Sequence, residues 1–272
     1  MSTLFRDGHE RAFGTWPLKK EQLAAAVTAA LQVGYRTFDT AQMYDNEADL
    51  GEILAASGIP LAELCVITKV HPGNFAPEKF MASVEKSLKD LRMSTADALL
   101  LHWPPIGGDV VPSLKLLEKA QRQGLARHIG ISNYTSAMMH TAKAPLEVPL
   151  VINQVEFHPL LDQSKLLAAA AETGIPLMAY SSIARGRIFE FPLFAEIATD
   201  HGKTASQVAL RWILQKGVVV NAMSTKPENI RANFDIIDFT LSATEMARID
   251  ALTTTNYRVV TRAKVPWAPD WD

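Results

Sequence analysis

The chain is 272 residues long, with 48% hydrophobic and 21% charged residues and with Gly and Pro dispersed. That length is close to the roughly 250 residues of one β/α barrel, so a single domain over residues 1–272 is expected. A formal net charge of −2 offers no basic field for nucleic acid. Met1–Asp7 lacks the apolar core of a secretory signal and no run approaches the roughly 20 apolar residues of a membrane span, so the expectation is a cytoplasmic monomer with no membrane partner.

Short apolar or β-branched runs alternate with longer segments of helical period, the pattern of parallel strands joined by crossover helices. Phe13 to Trp16 is the first run, and Leu23, Val27, Leu31 and Gly34 follow it at helical spacing. Tyr35 to Thr40 is the second; beyond it Asn46 reads as an N-cap before Glu47 and Gly58 as a helix stop. Cys65 to Val70 is the third, and its cysteine, the only one in the chain, reads as a buried structural thiol. Pro77 opens the next helix, which carries Phe80, Val84, Leu88 and Leu91. The remaining runs are Ala98 to Trp103, His128 to Asn133, Val151 to Glu156, Leu177 to Ser182 and Val218 to Ser224. Gly124 marks another helix stop, and Pro192 and Pro227 mark first helical turns. The tail, residues 257–272, has no clear period and reads as a loop over the rim. Eight strands in this alternation predict an α/β fold, a (β/α)8 TIM barrel.

In such barrels chemistry sits at the C-terminal ends of strands. Five strands end in polar or titratable residues: Asp39-Thr40, Lys69, His102, Ser132-Asn133 and Gln154 to Glu156. Tyr44 follows Asp39 by five residues, on the next loop. Each has a structural reading by itself: Asp39 as an acceptor, Tyr44 as a loop anchor, Lys69 as a snorkelling rim residue, His102 as a satisfied strand end. Four of them on successive strand ends point to a site. Reducing a carbonyl needs a donor that protonates the oxygen as hydride reaches carbon. Bringing a phenol from pKa ~10 toward ~7 takes about 4 kcal/mol of differential stabilisation of the anion, and a nearby lysine ammonium supplies that sign. Asp39 would hold Lys69 charged, and His102 would bind the carbonyl oxygen or relay the proton.

The motifs resemble those of the aldo-keto reductases, specifically bacterial members with a short C-terminal loop. Gly34 through Ala41 with Tyr44, Asn46 and Glu47 is similar to that family's first signature, and Leu101-His102-Trp103-Pro104 to its histidine strand. Gly130-Ile131-Ser132-Asn133-Tyr134, Asn153 through Pro159 and Val208 through Trp212 match as well, so the likeness spans nearly the whole chain. It implies a catalytic tetrad of Asp39, Tyr44, Lys69 and His102, with Tyr44 as general acid in an NAD(P)(H)-dependent reduction. It also implies a cofactor bed in which Ser132, Asn133 and Gln154 bind the nicotinamide carboxamide and Tyr180 stacks on the ring. Ser181, Ser182 and Ile183 would line the pyrophosphate path, with Gly14, Thr15, Trp16 and Asp39 on one side and Ser224, Asn229 and Asn233 on the other. No G-x-G-x-x-G fingerprint is present, so a Rossmann unit is not expected.

Two departures bear on selectivity. Met223 stands where NADPH-using members carry a lysine for the 2′-phosphate and Asn229 where they carry an arginine, which predicts a weakened preference for NADP(H) over NAD(H). Lys226 and Arg231 are neighbouring cations able to compensate. Ala12 replaces a common glycine, and His71 an aromatic residue. Trp16, Trp103 and Trp267, with His71, are expected to form the substrate pocket, suiting small aldehydes or ketones with an apolar or sugar-like body. Two other readings are a non-catalytic dinucleotide-binding protein on the same barrel and a Schiff-base chemistry on Lys69. No metal is expected, because His102 and His158 lack partners at ligand spacing.

Overall fold

A computed structural model of the chain describes residues 3–5 and 9–272; Met1, Ser2, Arg6, Asp7 and Gly8 of the N-terminal stretch lie outside them. All eight expected strands form: β1 Arg11–Gly14, β2 Thr37–Asp39, β3 Cys65–Val70, β4 Ala96–Leu101, β5 Ala126–Ser132, β6 Leu150–Glu156, β7 Leu177–Tyr180 and β8 Val219–Ala222. They pair in parallel in chain order, and β8 closes on β1 through Arg11 opposite Val220 and Ala12 opposite Asn221. The helices used below are α1 Lys20–Val33, α2 Glu47–Ala56, α3 Pro77–Asp90, α4 Val111–Arg122, α5 Ser136–Lys143, α6 Ser164–Thr173, α7 Pro192–His201, α8 Ala205–Gln215 and α9 Pro227–Phe234.

Strand alternation sorts these residues into two cores. Phe5, Ala12, Cys65, Ile67, Ala98, Leu100, Ile152, Met178 and Val219 fill the barrel interior. Larger sets, among them Phe80, Val84, Leu114, Ile129, Phe157 and Trp212, pack between strands and helices. Cys65 belongs to the interior filling, where burial pushes its thiol up. Gly130 faces inward because nothing larger fits: a Cβ there would stand 2.6 Å from Leu100 Cδ2 and 2.9 Å from the Ile152 carbonyl.

Two local details differ from expectation. Asn46 occupies the N-cap position of α2 without capping it; its Nδ2 donates to the carbonyls of Thr15 (3.2 Å) and Leu18 (2.9 Å), and its Oδ1 accepts from Thr40 Oγ1 (2.7 Å). The oxygen that would cap the helix is taken by the Thr40 hydroxyl instead. The first and last strands also stop short: Thr15 already accepts a turn bond from Leu18 N at 2.8 Å, so Thr15, Trp16, Met223 and Ser224 lie on loops. Gly58 and Gly124 follow α2 and α4 by two residues at φ +75° and +77°, and Pro77, Pro192 and Pro227 open α3, α7 and α9. Among the described residues no helix is long and apolar enough to cross a membrane.

Candidate active site

Extending the inward register one step beyond the apolar filling gives a polar layer at the C-terminal mouth. Asp39 continues β2, Lys69 follows Ile67 by two, His102 follows Leu100 by two, and Gln154, Tyr180 and Asn221 follow Ile152, Met178 and Val219 in the same way. A cavity of about 580 Å³ opens above this layer.

Lys69 sits at its floor with no exposure. Its Nζ lies 2.7 Å from Asp39 Oδ1 and donates to Asp39 Oδ2 (2.8 Å), the Thr40 carbonyl (2.9 Å) and the Tyr44 phenolic oxygen (3.4 Å). Asp39 also accepts from Gln154 Nε2 at 2.8 Å and Asn221 Nδ2 at 3.0 Å. Such a buried ion pair is tolerable because hydrogen bonds satisfy its remaining lone pairs. The Tyr44 ring meets the His102 ring edge-on, 5.5 Å between centroids. Asp39, Tyr44, Lys69 and His102 are therefore gathered at one place.

The electrostatics differ in one respect from the sequence-based expectation. Burial, and after it the charges of Asp39 and Tyr180, pushes the Tyr44 phenol well above its ordinary value. Burial likewise lowers Lys69 from its ordinary value against the pull of Asp39. His102 is pushed well below its ordinary value by burial, then by Lys69 and His71, which makes a neutral imidazole. At rest the site holds a protonated phenol beside a paired ammonium.

The expected cofactor residues divide. Gly14, Trp16, Asp39, Ser132, Asn133, Gln154, Tyr180, Ser181, Ser182, Ile183 and Asn233 line the cavity, as do Trp103 and Trp267 of the expected pocket. Asn133 Oδ1 accepts from the Tyr180 hydroxyl at 2.7 Å, which sets that ring on the wall. Thr15 is buried, its hydroxyl on the Asp39 carbonyl. His71, Ser224 and Asn229 are off the wall. The His71 Nδ1 accepts from Gly73 N, a local turn bond; Ser224 Oγ accepts from Lys226 N; Asn229 projects from α9 into solvent.

Met223 lines the cavity too, and so do residues not anticipated: Met43, Arg185, Asn221, Val260 and Val265. Asn221 was readable from the period of two on β8. Arg185 stacks its guanidinium 4.9 Å from the Trp16 ring, bridging the loops after β7 and β1. The tail reaches the mouth because Glu156, buried at the end of β6, accepts from Val259 N (2.6 Å) and Val260 N (2.8 Å). His158 Nε2 lies 2.9 Å from the same carboxylate. Burial opposes the Glu156 charge, but these bonds outweigh it and hold its carboxyl below the usual range. At the far end Asp272 accepts from Ser136 N and Oγ at 2.9 and 2.6 Å. Among the described residues no group of three or more His, Cys, Asp or Glu side chains is placed to hold a metal ion.

A (β/α)8 barrel with a polar mouth of this kind carries its chemistry at the strand C-termini, and comparison with known proteins defines the class. The family model described as Aldo/keto reductase family matches residues 8–254. The chain is 37% identical over 262 residues to methylglyoxal reductase DkgB of Escherichia coli O157:H7, covering 95% of this chain and 97% of the relative. It is 40% identical over 240 residues to an aldo-keto reductase of Mycobacterium avium (strain 104), covering 88% of this chain and 84% of the relative. Among solved structures, one provisionally assigned as a 2,5-diketo-D-gluconic acid reductase B superposes with TM-score 0.92 at 40% identity, over 97% of this chain and 95% of that one. The Bombyx mori aldo-keto reductase in complex with NADP superposes with TM-score 0.87 at 29% identity, over 96% and 94%. The chain belongs to the aldo/keto reductase family and is an oxidoreductase acting on carbonyl groups.

Proposed function

We propose that this enzyme reduces a small aldehyde or ketone to the alcohol with a nicotinamide cofactor, Tyr44 acting as general acid. The observation that carries the reading is the Lys69 ammonium held between Asp39 and the Tyr44 hydroxyl on the cavity floor.

The residues present fit such a cofactor. Gly14 leaves the strand-β1 side of the cavity open, since a Cβ there would stand 2.9 Å from Asn221 Oδ1. His102 Nδ1 and Asn221 Oδ1 are buried polar atoms beside this space with no hydrogen-bond partner among the described residues. Ser132, Asn133 and Gln154 offer amide-complementary groups next to the flat face of Tyr180. When bound, the reduced cofactor supplies hydride to the carbonyl carbon. The chain supplies the rest: the Tyr44 O–H passes its proton to the carbonyl oxygen as the C–H bond forms, and the phenolate left behind faces the Lys69 ammonium. The lysine thus stabilises the phenolate that the transfer leaves, offsetting part of the burial that otherwise keeps the phenol protonated. Asp39 keeps that ammonium oriented, and neutral His102 hydrogen-bonds the substrate oxygen. Tyr44 recovers its proton from solvent.

Met223 on the cavity wall and solvent-facing Asn229 leave the 2′-phosphate without its usual cations, so NADH serves along with NADPH. Trp16, Trp103, Trp267, Met43 and Val265 make the substrate side largely apolar. That wall favours compact carbonyl compounds, and DkgB, named for methylglyoxal, belongs to the same size class. The test is Tyr44→Phe: oxidation of the reduced cofactor, followed by its absorbance over a panel of aldehydes, ketones and keto-sugars, is lost while fluorescence quenching on cofactor binding is kept. Normal turnover in that variant defeats the assignment.

A further inference from the structure

Tyr44 is carried on a three-residue turn, Gln42–Tyr44, between β2 and α2. Its hydroxyl contacts Lys69 at 3.4 Å, long for a hydrogen bond, so a small shift of the turn breaks the contact. Gln42, two residues before Tyr44, turns its carboxamide to α3. Its Nε2 donates to the Ser83 carbonyl (3.1 Å), Ser83 Oγ (3.3 Å) and Ser87 Oγ (3.1 Å). Its Oε1 accepts from His71 N (2.8 Å) and Asn74 Nδ2 (2.9 Å). Both ends of the amide are therefore satisfied, by α3 and by the loop after β3.

The bonds continue. Ser87 Oγ donates to Glu47 Oε2 at 3.0 Å, and Glu47 Oε1 accepts from Thr68 Oγ1 at 2.5 Å. Ser87 and Thr68 are 1% exposed and Glu47 7%. Thr68 immediately precedes Lys69 on β3, and strand alternation sends it outward where Lys69 goes inward. The chain Gln42–Ser87–Glu47–Thr68 thus begins two residues from the phenol and ends one residue from the ammonium, on the outer side of the barrel wall. A carboxylate buried there would be costly unless its bonds are made, so the network resists partial rearrangement.

We propose that this buried chain fixes the Tyr44 hydroxyl against the Lys69 ammonium, and that Gln42 and Glu47 are positioning residues for proton transfer. The proposal rests on Tyr44 being the proton donor, while its geometric content stands apart from turnover. Without the tether the phenol and the ammonium drift relative to each other, and the phenolate forms with less compensation.

The test uses Gln42→Met, which keeps the shape and removes the donor and acceptors, and Gln42→Glu, which keeps the acceptors. Tyrosine labelled with carbon-13 at Cζ reports Tyr44 in the cofactor-free protein, its resonance assigned by its loss in Tyr44→Phe. In Gln42→Met the resonance moves, kcat falls by about tenfold or more, the alkaline limb of the kcat–pH profile shifts, and cofactor affinity stays within about twofold; Gln42→Glu recovers part of kcat. A folded Gln42→Met with the native Tyr44 resonance and the native pH profile overturns the proposal. Should Gln42→Met fail to fold, Ser87→Ala cuts the chain on α3 with the same expected shift, and a native Tyr44 resonance there overturns it equally. Absence of carbonyl reduction in the native chain sinks the functional reading instead, and the resonance then decides the geometry by itself.

Discussion

The Lys69 ammonium lies 2.7 Å from Asp39 Oδ1 and 3.4 Å from the Tyr44 oxygen, wholly out of contact with water. That geometry sets a hierarchy: the carboxylate holds the cation, and the cation faces the phenol. The phenol stays protonated at rest, which is the form a general acid requires.

Removing either partner should act on chemistry rather than on cofactor binding. Lys69→Met takes away the ammonium that compensates the phenolate, and Asp39→Asn leaves that ammonium buried without its carboxylate partner. Each is expected to lower kcat by roughly 10²–10⁴, the range for proton-transfer assistance, with cofactor affinity changed by only a few fold. Asp39→Asn should also cost about 3–5 kcal/mol of stability, the penalty of an unpaired buried charge, whereas Lys69→Met also strips Asp39 of its partner and is destabilising in the same range. Steady-state kinetics with fluorescence titration, and urea unfolding of each variant, separate the two effects. Retention of native kcat in Lys69→Met would show that the ammonium has no part in the reaction.

His102 gives stability a pH dependence with a definite sign. Its folded-state pKa lies well below the ordinary value, so the folded protein binds fewer protons there than the unfolded chain. Above the unfolded value of about 6.5 both states are neutral and the residue contributes nothing; as pH falls below it, the unfolded chain alone takes up a proton and stability drops at about 1.4 kcal/mol per pH unit. Carboxylates titrate in the same direction or against it, so the difference between native protein and His102→Gln isolates the residue. The difference between the two unfolding curves should stay constant above pH about 7 and change below it, with native losing stability faster. Parallel curves across that range would mean that His102 takes up its proton as readily in the folded protein as in the unfolded chain.

The fold was legible in sequence because each strand is an apolar run bracketed by helical period, and eight of them leave one closed topology. The gathering of Asp39, Tyr44, Lys69 and His102 was legible because a polar residue at an inward position directly above an apolar one, as in Ile67 to Lys69 and Leu100 to His102, is carried to the barrel mouth. Asn221 obeys the same rule after Val219 but escaped notice because an asparagine at a strand end also reads as a turn former. The resting state of Tyr44 was not legible, because its direction depends on how deeply the ring is enclosed and on whether Asp39 or the phenol lies closer to the ammonium. Nor was the reach of Arg185 to Trp16, since that pairing depends on two loops 169 positions apart meeting across the mouth. His71 was drawn to the pocket by its place after β3, yet its Nδ1 accepts from Gly73 N in the turn beyond it.

Glu156 governs the tail. Its two oxygens take the amides of Val259 and Val260, and the residues that follow, Val265 and Trp267, form part of the cavity wall. Replacing it by Gln turns one acceptor into a donor facing a backbone N–H, which cannot be satisfied, so the tail should detach at that point. Glu156→Gln is expected to raise KM for a bulky aromatic aldehyde by about tenfold or more, because lost wall contacts weaken binding of the part of the substrate that touches them, while a three-carbon aldehyde is affected by only about twofold. Equal changes for both substrates would show that the tail does not shape the substrate side.

Cofactor choice is the remaining property that the site makes testable. A 2′-phosphate dianion is best discriminated by cations that reach it with charge-assisted hydrogen bonds, each worth about 1.5–3 kcal/mol. Met223 lies on the cavity wall and is half-buried, so a lysine there has a short path to the adenosine end; Asn229 faces solvent in the first turns of α9. Met223→Lys should therefore raise kcat/KM with NADPH relative to NADH by about tenfold or more, and Asn229→Arg, starting farther away, by less. The ratio is to be measured at two ionic strengths, since the added contact weakens with salt while apolar contacts to the nicotinamide do not. A native enzyme that already prefers NADPH by a hundredfold or more would mean that Lys226 or Arg231 supplies the missing charge, and Lys226→Met would then identify which.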